Sequence, residues 1–232
     1  MRIDELIDEI SRSVEYLAQN GYRGFNCKPN HVELLAGWGK PPGKEGLPHA
    51  QTLDELQAAL KDCTRCKLSL KRNHIVFGEG NPNARLVFIG EGPGAEEDRQ
   101  GRPFVGAAGK LLDKIIAAMG LKREDAYIAN VVKCRPPGNR DPQPDEIQTC
   151  LPFLKGQLES IHPEFIVALG RHAAQTLLET GEPISRLRGR FFDYGGAKLM
   201  PTFHPAYLLH NPNKKAEVWA DIKKLMKKMG LR

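Results

Sequence analysis

Residues 85–94 read RLVFIGEGPG, a short apolar run that leads directly into a glycine-rich turn. A continuous run of this kind, rich in branched apolar side chains, is typical of a strand buried on both faces of a sheet. The turn has neither the spacing of a dinucleotide-binding motif nor the lysine of a phosphate-binding loop. Its glycines would let backbone N–H groups approach a planar ligand, although a simple tight turn would use the same residues.

Similar apolar segments recur along the chain and alternate with helical patterns. Further strands are predicted at residues 126–132, 165–169 and 198–202, and helices at residues 53–60, 108–119, 145–161, 172–178 and 214–229. Thr52 is a candidate cap for the first of these helices. Alternation of this type predicts an α/β fold, with three αβα layers around a mostly parallel, four-stranded central sheet.

Polar candidates stand at the ends of these predicted strands. The GEGPG turn, Asn130 and His204 each fall at or just after a strand end. Ligands of parallel sheets bind beyond the carboxyl ends of the strands. The sequence therefore predicts a single active site at that edge of the sheet.

The first 50 residues differ from the rest of the chain. Residues 3–19 have the apolar period of an amphipathic helix, and the Gly/Pro-rich residues 37–48 are typical of a linker. We therefore predict a helical extension at residues 1–50 and a main domain at residues 51–232. The net charge is +6, and residues 1–50 carry six Lys/Arg and seven Asp/Glu, so the positive excess lies in the main domain. Such an excess suits a polyanionic partner.

Apolar segments of the chain are too short for a membrane. No run approaches the 18 or more residues of a membrane span, so we expect no membrane partner. The charged N-terminal residues lack the apolar region of a signal peptide, so we expect a cytoplasmic protein with reduced thiols.

Four cysteines form a candidate metal site. Cys63 and Cys66 make a C-x-x-C pair, Cys134 follows a predicted strand, and Cys150 stands further along. Thiolates gathered in a reducing compartment hold a metal or an iron–sulfur cluster more often than a disulfide. The wide spacing of the second pair departs from the common zinc pattern, but spacing alone does not separate the two. Cys27 stands apart, and we interpret it as a free thiol.

Three further positions could be functional or structural. Phe104 lies in a Gly- and Pro-flanked loop, where an aromatic ring is either core or a platform for a base. Asn130 can pair with the edge of a base through its amide, or it can serve the fold. His204 precedes a proline and an apolar triplet after a strand end, and we favour a functional role for it. The acidic run at residues 96–98 would also suit the start of a helix.

The residues from about Cys63 to the C-terminus resemble family 4 uracil-DNA glycosylases, the iron–sulfur members of their superfamily. The matching segments are GEGPGAEEDRQGRPFVGAAGKLLD, YIANVVKCRPPGNRDPQPDEIQTC, IVALG and HPAYLL, in that order. The resemblance implies a DNA-repair hydrolase that flips uracil out of DNA, breaks the N1–C1′ bond and leaves an abasic site. No lysine occupies a motif position, which implies a monofunctional enzyme. Residues 1–50 lie outside the resemblance.

The resemblance also assigns roles to individual residues. Cys63, Cys66, Cys134 and Cys150 would hold a 4Fe–4S cluster. Gly90, Glu91 and Gly92 would form the uracil-binding turn, Phe104 would stack on the base, Asn130 would read its Watson–Crick edge, and His204 would bind O2. Leu208 and Leu209 resemble the wedge that fills the duplex. Arg135, Arg188 and Arg190 are candidates for phosphate contacts.

Two carboxylates are candidates for one role, the orientation of the attacking water. Better-known relatives place an Asp that orients the attacking water where this chain has Gly92. Glu91 and Glu97 are therefore the candidates for that role, and Glu97 could instead exclude the C5-methyl of thymine.

Two alternatives remain open. One is a non-catalytic or covalently trapping uracil-DNA-binding protein, although the His-bearing insertion of trapping relatives is absent after Cys134. The other is a DNA-binding module braced by zinc. We expect a monomer that acts on single- or double-stranded uracil-DNA, and a role of residues 1–50 in docking a protein partner is a hypothesis.

Overall fold

The computed structural model describes residues 52–231. The predicted N-terminal helix, the linker and Cys27 lie outside these residues, so the proposed domain boundary stays a prediction. The described residues form a six-stranded sheet in the order β1-β3-β2-β4-β6-β5. Its strands are β1 (Glu79–Gly80), β2 (Leu86–Gly90), β3 (Tyr127–Asn130), β4 (Phe165–Leu169), β5 (Phe192–Tyr194) and β6 (Ala197–Thr202).

The four central strands are parallel, as predicted. Strand β2 pairs with β3 and β4, and β4 pairs with β6. The register sets Gly90 opposite Asn130 and Leu169 opposite Thr202, so the carboxyl ends of the strands align at one edge. The edge strands β1 and β5 are antiparallel and were not predicted, because two or three residues carry no readable period.

Eight α-helices accompany the described sheet. They are α1 (Leu53–Leu60), α2 (Ala95–Gln100), α3 (Ala107–Ala118), α4 (Pro144–Ile161), α5 (Arg171–Leu178), α6 (Ile184–Leu187), α7 (Pro205–His210) and α8 (Lys215–Met229). Four short 3-10 turns occur at Lys67–Leu70, Arg123–Asp125, Pro137–Asn139 and Pro212–Lys214. Helices α2, α6 and α7 were not predicted as such, because each has only one turn or little more.

Alternate residues of the strands enter two separate cores. Val87 and Ile89 pack with residues of α4 and α5 on one face of the sheet. Leu86 and Phe88 pack with residues of α3 and α8 on the other face. Since every residue of β2 and β4 is buried, both faces of the sheet are covered, which confirms the three-layer αβα arrangement.

Helix α1 brings the first cysteine pair to the domain. The Thr52 hydroxyl accepts a hydrogen bond from the Glu55 N–H at 3.3 Å, which confirms Thr52 as the cap. Leu56 and Leu60 then pack with Phe153 of α4 in a small third core. The turn that follows α1 holds Cys63 and Cys66 close to α4.

None of the helices in residues 52–231 has both the length and the apolar character needed to cross a membrane.

Candidate active site and cysteine site

A cavity of about 350 Å³ opens at the carboxyl ends of β2, β3 and β6. Six of the residues singled out from the sequence line it: Glu91, Gly92, Glu97, Phe104, Asn130 and His204. They come from segments far apart in the chain and meet because the parallel strands end at one edge. The remaining lining residues are Pro93, Gly94, Ala108, Pro136, Asn139, Arg140, Asp141 and Ala206.

Gly90, the last residue of β2, lies next to two residues that line the cavity, Phe104 and Asn130. A Cβ atom at this position would come within 2.4 Å of Asn130 Oδ1 and 2.6 Å of Phe104 Cζ. Both distances are far below van der Waals contact, so only glycine lets these two side chains approach each other. The absence of a side chain at Gly90 therefore leaves room for both lining side chains.

Phe104 is held in an unusual backbone conformation. Its φ angle is +50°, a region that non-glycine residues rarely adopt. Its ring is only 5% exposed, and its centroid lies 5.6 Å from that of the His204 ring. The next two residues, Val105 and Gly106, each donate a backbone N–H to Glu97 Oε1 at 2.9 Å. Glu97 thus anchors the loop that presents the Phe104 ring.

Asn130 presents a buried acceptor to the cavity. The residue is 1% exposed, and within the described residues its Oδ1 atom has no hydrogen-bond partner. Leaving a buried polar atom without a partner costs about 1–3 kcal/mol. A ligand that offers an N–H group at this point would remove that cost.

His204 has a neutral ring that can donate a hydrogen bond from Nε2 to a ligand. It caps the start of α7, where its Nδ1 accepts the backbone N–H of Ala206 at 3.1 Å. Burial lowers the pKa of His204 to about 4, against the opposing effect of the Glu97 carboxylate. The ring is therefore neutral near pH 7. Since Nδ1 is an acceptor, the hydrogen is on Nε2, which can donate to a ligand. Gly170, with φ of +90°, allows this close packing, because a Cβ there would lie 2.9 Å from the His204 Cβ.

Glu91 lies at the mouth of the cavity within a charged group that the sequence did not reveal. Burial raises the pKa of Glu91, and His172 and Arg171 oppose the rise while Asp141 adds to it. His172 Nε2 lies 3.9 Å from Glu91 Oε2 and 2.9 Å from Asp141 Oδ2. Arg171 also pairs with Asp141 at 2.8 Å. The cationic neighbours of the half-buried Glu91 carboxylate therefore do not outweigh the effect of its burial, and its pKa stays raised.

Asn139 is a second lining residue that the sequence did not indicate. It has a φ angle of +56°, and its Oδ1 accepts a hydrogen bond from Arg135 Nε at 2.7 Å. Its position depends on the loop after β3, which has no periodic pattern. Arg135 thus lies at the cavity rim, where its predicted phosphate contact stays a prediction.

The predicted wedge needs one correction. Leu208 is 1% exposed and belongs to the core between the sheet, α3 and α8, so its assignment to the wedge was wrong. Leu209 and Tyr207 are each 42% exposed on this helix, and Tyr207 is a candidate that the sequence reasoning missed.

Arg188 also differs from its predicted role. Its side chain is 18% exposed and pairs with Glu217 at 3.1 Å and Asp221 at 2.9 Å. The guanidinium lies over the Phe203 ring, with its carbon 5.2 Å from the centroid. Two carboxylates already occupy this cation, so the prediction of a phosphate contact was wrong. Arg190 is exposed and lies 5.5 Å from the Phe192 centroid, so its predicted contact with DNA is still open.

The four cysteines gather on the α4 side of the sheet without forming a disulfide. Cys134 and Cys150 are buried, and Cys63 and Cys66 are partly buried. Burial raises the pKa of Cys134 to about 11 and that of Cys150 to about 12, and the neighbouring thiols of this group add to both rises. Arg72 contacts both Cys63 and Cys134, and Cys66 packs against the core cluster that holds Cys134 and Cys150, so the four residues lie close together.

Cationic and N–H donors surround these thiols. Arg72 Nη1 lies 3.4 Å from Cys134 Sγ and donates to the Cys63 carbonyl at 2.7 Å. Arg65 Nη1 lies 3.4 Å from Cys63 Sγ, and the Lys133 backbone N–H donates to Cys150 Sγ at 3.3 Å. Such donors stabilise thiolates and suit an anionic group held by them.

The spacing of the sulfur atoms bears on which group would fit. Four thiolates around one zinc ion, each about 2.3 Å from the metal, would lie about 3.8 Å from one another. In residues 52–231, no three of the cysteine sulfur atoms all lie within 4.8 Å of one another. The four thiols form a donor set that fits a thiolate-held metal or iron–sulfur group.

Lys133 joins the cysteine site to the cavity and was not indicated by the sequence. It is fully buried, and its Nζ donates to the Asn130 carbonyl at 2.8 Å and to Gln157 Oε1 at 2.5 Å. Burial lowers the pKa of Lys133 to about 8, and the Cys150 thiol opposes this shift. Its neighbour in the chain is Cys134.

The chain can now be compared with known proteins that have such a sheet and cavity. Residues 77–223 match the model of the Uracil DNA glycosylase superfamily. The chain is 50% identical to the type-4 uracil-DNA glycosylase of Thermotoga maritima over 163 residues, which cover 69% of this chain and 85% of that protein.

Two further relatives have the same description. The chain is 44% identical to the type-4 enzyme of Archaeoglobus fulgidus, over 75% of this chain and 92% of that protein. It is 46% identical to that of Saccharolobus solfataricus, over 75% of this chain and 84% of that protein. Within the superfamily, the chain belongs to the type-4 uracil-DNA glycosylases, which confirms the resemblance noted in its sequence.

Proposed function

We propose that this protein removes uracil from DNA by hydrolysing the N1–C1′ glycosidic bond, leaving an abasic site for repair. The observation that carries the proposal is the buried Oδ1 of Asn130, which has no partner within the described residues and faces the same cavity as Phe104 and a neutral His204. The names of the related type-4 enzymes support the same activity.

Recognition follows from the lining of the cavity. An enzyme of this kind flips its target base out of the stack, which costs a few kcal/mol. The Phe104 ring would stack on the flipped base, a contact worth about 1–3 kcal/mol. Asn130 Oδ1 would accept the N3–H of uracil. Cytosine has no hydrogen at N3, so it would leave this buried oxygen without a partner and would be rejected.

His204 would stabilise the leaving group. As the N1–C1′ bond breaks, negative charge develops on uracil, mostly at O2. The Nε2–H of a neutral His204 would donate to that oxygen, in a site that burial has already desolvated. By analogy with oxyanion holes, the loss of one such donor should reduce the rate about 100- to 1000-fold.

Glu91 is the carboxylate that we assign to the attacking water. Burial raises its pKa and it stands at the cavity mouth, which suits a group that accepts a proton or a hydrogen bond from water. Glu97, the other candidate, already accepts two backbone N–H groups of the Phe104 loop. We therefore assign Glu97 to positioning that loop. Exclusion of thymine by Glu97 stays a prediction.

We also infer that Cys63, Cys66, Cys134 and Cys150 hold a 4Fe–4S cluster. The donor set of four thiols, the surrounding cations and the membership of the type-4 family support this group. Such a cluster would cross-link the turn after α1, the segment after β3 and helix α4. We assign it a structural role, because none of the four cysteines lines the cavity.

A labelled oligonucleotide with one uracil tests the activity. After incubation and treatment with alkali, we expect strand scission at uracil, and none at thymine or hypoxanthine control positions. Asn130→Ala and His204→Ala should abolish most of this scission while the fold persists. Unchanged activity in both variants would contradict the site assignment. Retained uracil-DNA binding without any scission would support the non-catalytic or trapping alternative.

A further inference from the structure

Lys133 is a buried cation whose side-chain hydrogen bonds include no counter-charge. Its side chain is fully buried, and the two acceptors of its Nζ, the carbonyl of Asn130 and Oε1 of Gln157, are both neutral. None of the carboxylates in residues 52–231 forms an ion pair with it. A buried ammonium without a counter-charge is strongly destabilising, so a negative group near it is expected.

The candidates for that negative group are the cysteines beside Lys133. The backbone N–H of Lys133 donates to Cys150 Sγ at 3.3 Å, so this residue contacts one sulfur atom of the cysteine site directly. Cys134 is the next residue in the chain. When four thiolates hold an iron–sulfur cluster, the group as a whole is anionic. Lys133 then lies beside the counter-charge that its burial requires.

The ammonium also fixes the strand end that reads the base. Its bond to the Asn130 carbonyl holds the backbone from which the Asn130 amide enters the cavity. Gln157 continues the network, because its Nε2 donates to the Phe77 carbonyl at 2.9 Å and to the Tyr127 hydroxyl at 3.2 Å. The start and the end of β3 are thereby tied to α4, the helix that carries Cys150.

We propose that Lys133 is a positioning residue that links the cysteine site to base recognition, with its charge balanced by the thiolate-held group and its Nζ fixing the backbone of Asn130. The proposal rests on the proposed function and deepens it. The Lys133 side chain would then have two effects: it would help to retain the cluster, and it would place the Asn130 amide.

Lys133→Met keeps the length of the side chain and removes its charge and its donor. Lys155→Met is the matched control, since Lys155 is an exposed lysine of the same helix as Gln157. We expect iron release to a chelator to be about tenfold faster in Lys133→Met, and single-turnover excision to be about tenfold slower, as for other partners of metal ligands. Lys155→Met should match the wild type in both measurements.

A double variant separates positioning from general damage. If Lys133 acts through Asn130, Lys133→Met should cause no further loss of excision in an Asn130→Ala background. Losses that multiply would overturn the proposal. Wild-type iron release and excision in Lys133→Met would also overturn it. If the wild type lacks excision altogether, the proposed function fails, but the iron-release comparison still decides the link between Lys133 and the cluster.

Gln157→Glu covers the case in which Lys133→Met does not fold. This isosteric change gives Lys133 a local carboxylate, so the ammonium no longer depends on the cluster for its counter-charge. We expect the difference in thermal midpoint between the iron-loaded and iron-free forms to become smaller than in the wild type. An equal or larger difference would overturn the proposal.

Discussion

Replacement of Glu97 by Gln tests how the Phe104 loop is held. The carboxylate accepts two backbone N–H bonds, from Val105 and Gly106, through one oxygen. Gln keeps an acceptor oxygen in that place but removes the charge. Hydrogen bonds to charged groups contribute about 1.5–3 kcal/mol, and neutral ones about 0.5–1.5 kcal/mol. The change should therefore weaken each bond by about 1 kcal/mol, and the loop by about 2 kcal/mol.

This loss should be seen in the excision rate. Phe104 has a φ angle of +50° and would relax to an ordinary backbone conformation once its loop is less firmly held. A bias of about 2 kcal/mol corresponds to a fall of roughly 30-fold in the population competent for stacking, and so in the single-turnover rate. Single-turnover excision of uracil from a labelled oligonucleotide measures this directly. Chemical unfolding of the same samples would show whether the loss is local or global.

Glu96→Gln provides the matched control. Glu96 lies on the same helix, is exposed, and pairs with Arg99 at the surface. Exposed pairs of this kind contribute little, so its rate should equal that of the wild type. A wild-type rate in Glu97→Gln would refute the anchoring role. A loss of more than about 1000-fold with unchanged stability would instead show that Glu97 acts on the reacting groups, a range typical of lost transition-state contacts.

Three more predictions follow from the same structure. Leu208→Ala should lower the free energy of unfolding by about 2–5 kcal/mol, as for a buried leucine, whereas Leu209→Ala should leave it unchanged and weaken only duplex binding in a titration with uracil-DNA. Because the pKa of His204 is lowered to about 4, the unfolded chain binds a proton first as pH falls. The free energy of unfolding of the wild type should therefore fall relative to that of His204→Gln between about pH 6.5 and pH 4, by at most about 3 kcal/mol. If the two free energies changed with pH in the same way, the prediction would be contradicted. Cys134→Ser should reduce iron content and absorbance near 400 nm and lower the thermal midpoint; a fully stable, iron-loaded and inactive variant would rule out a structural role for the site.

The sequence was sufficient to predict the strands and helices that have a clear hydrophobic pattern. The central strands are continuous apolar runs, and the helices between them have clear apolar periods, so both could be predicted. Asn130 and His204 could be placed in one site because each follows a strand of a parallel sheet. The edge strands β1 and β5 are too short for a period, and their pairing depends on neighbours that are distant in the chain.

Other residues of the site depend on geometry that no local pattern encodes. Lys133 lies in an apolar segment beside a cysteine, and only the fold shows that its ammonium meets the Asn130 carbonyl. His172 and Asp141 come from separate segments and meet Glu91 only at the cavity mouth. The outward face of α7 was misjudged at Leu208, because one turn of helix does not show which side contacts the core.

The order of the strands also has a consequence for synthesis of the chain. Asn130 ends β3 and His204 follows β6, and these strands are separated in the sheet by β2 and β4. At a spacing of about 4.8 Å between neighbours, the two arms of the site start about 14 Å apart. The segment that reads the base is synthesised first. The segment that stabilises the leaving group is synthesised later, together with the α8 residues that pack against β6. A nascent chain that ends before residue 197 should therefore show no excision, because it lacks β6 and the His204 that follows this strand.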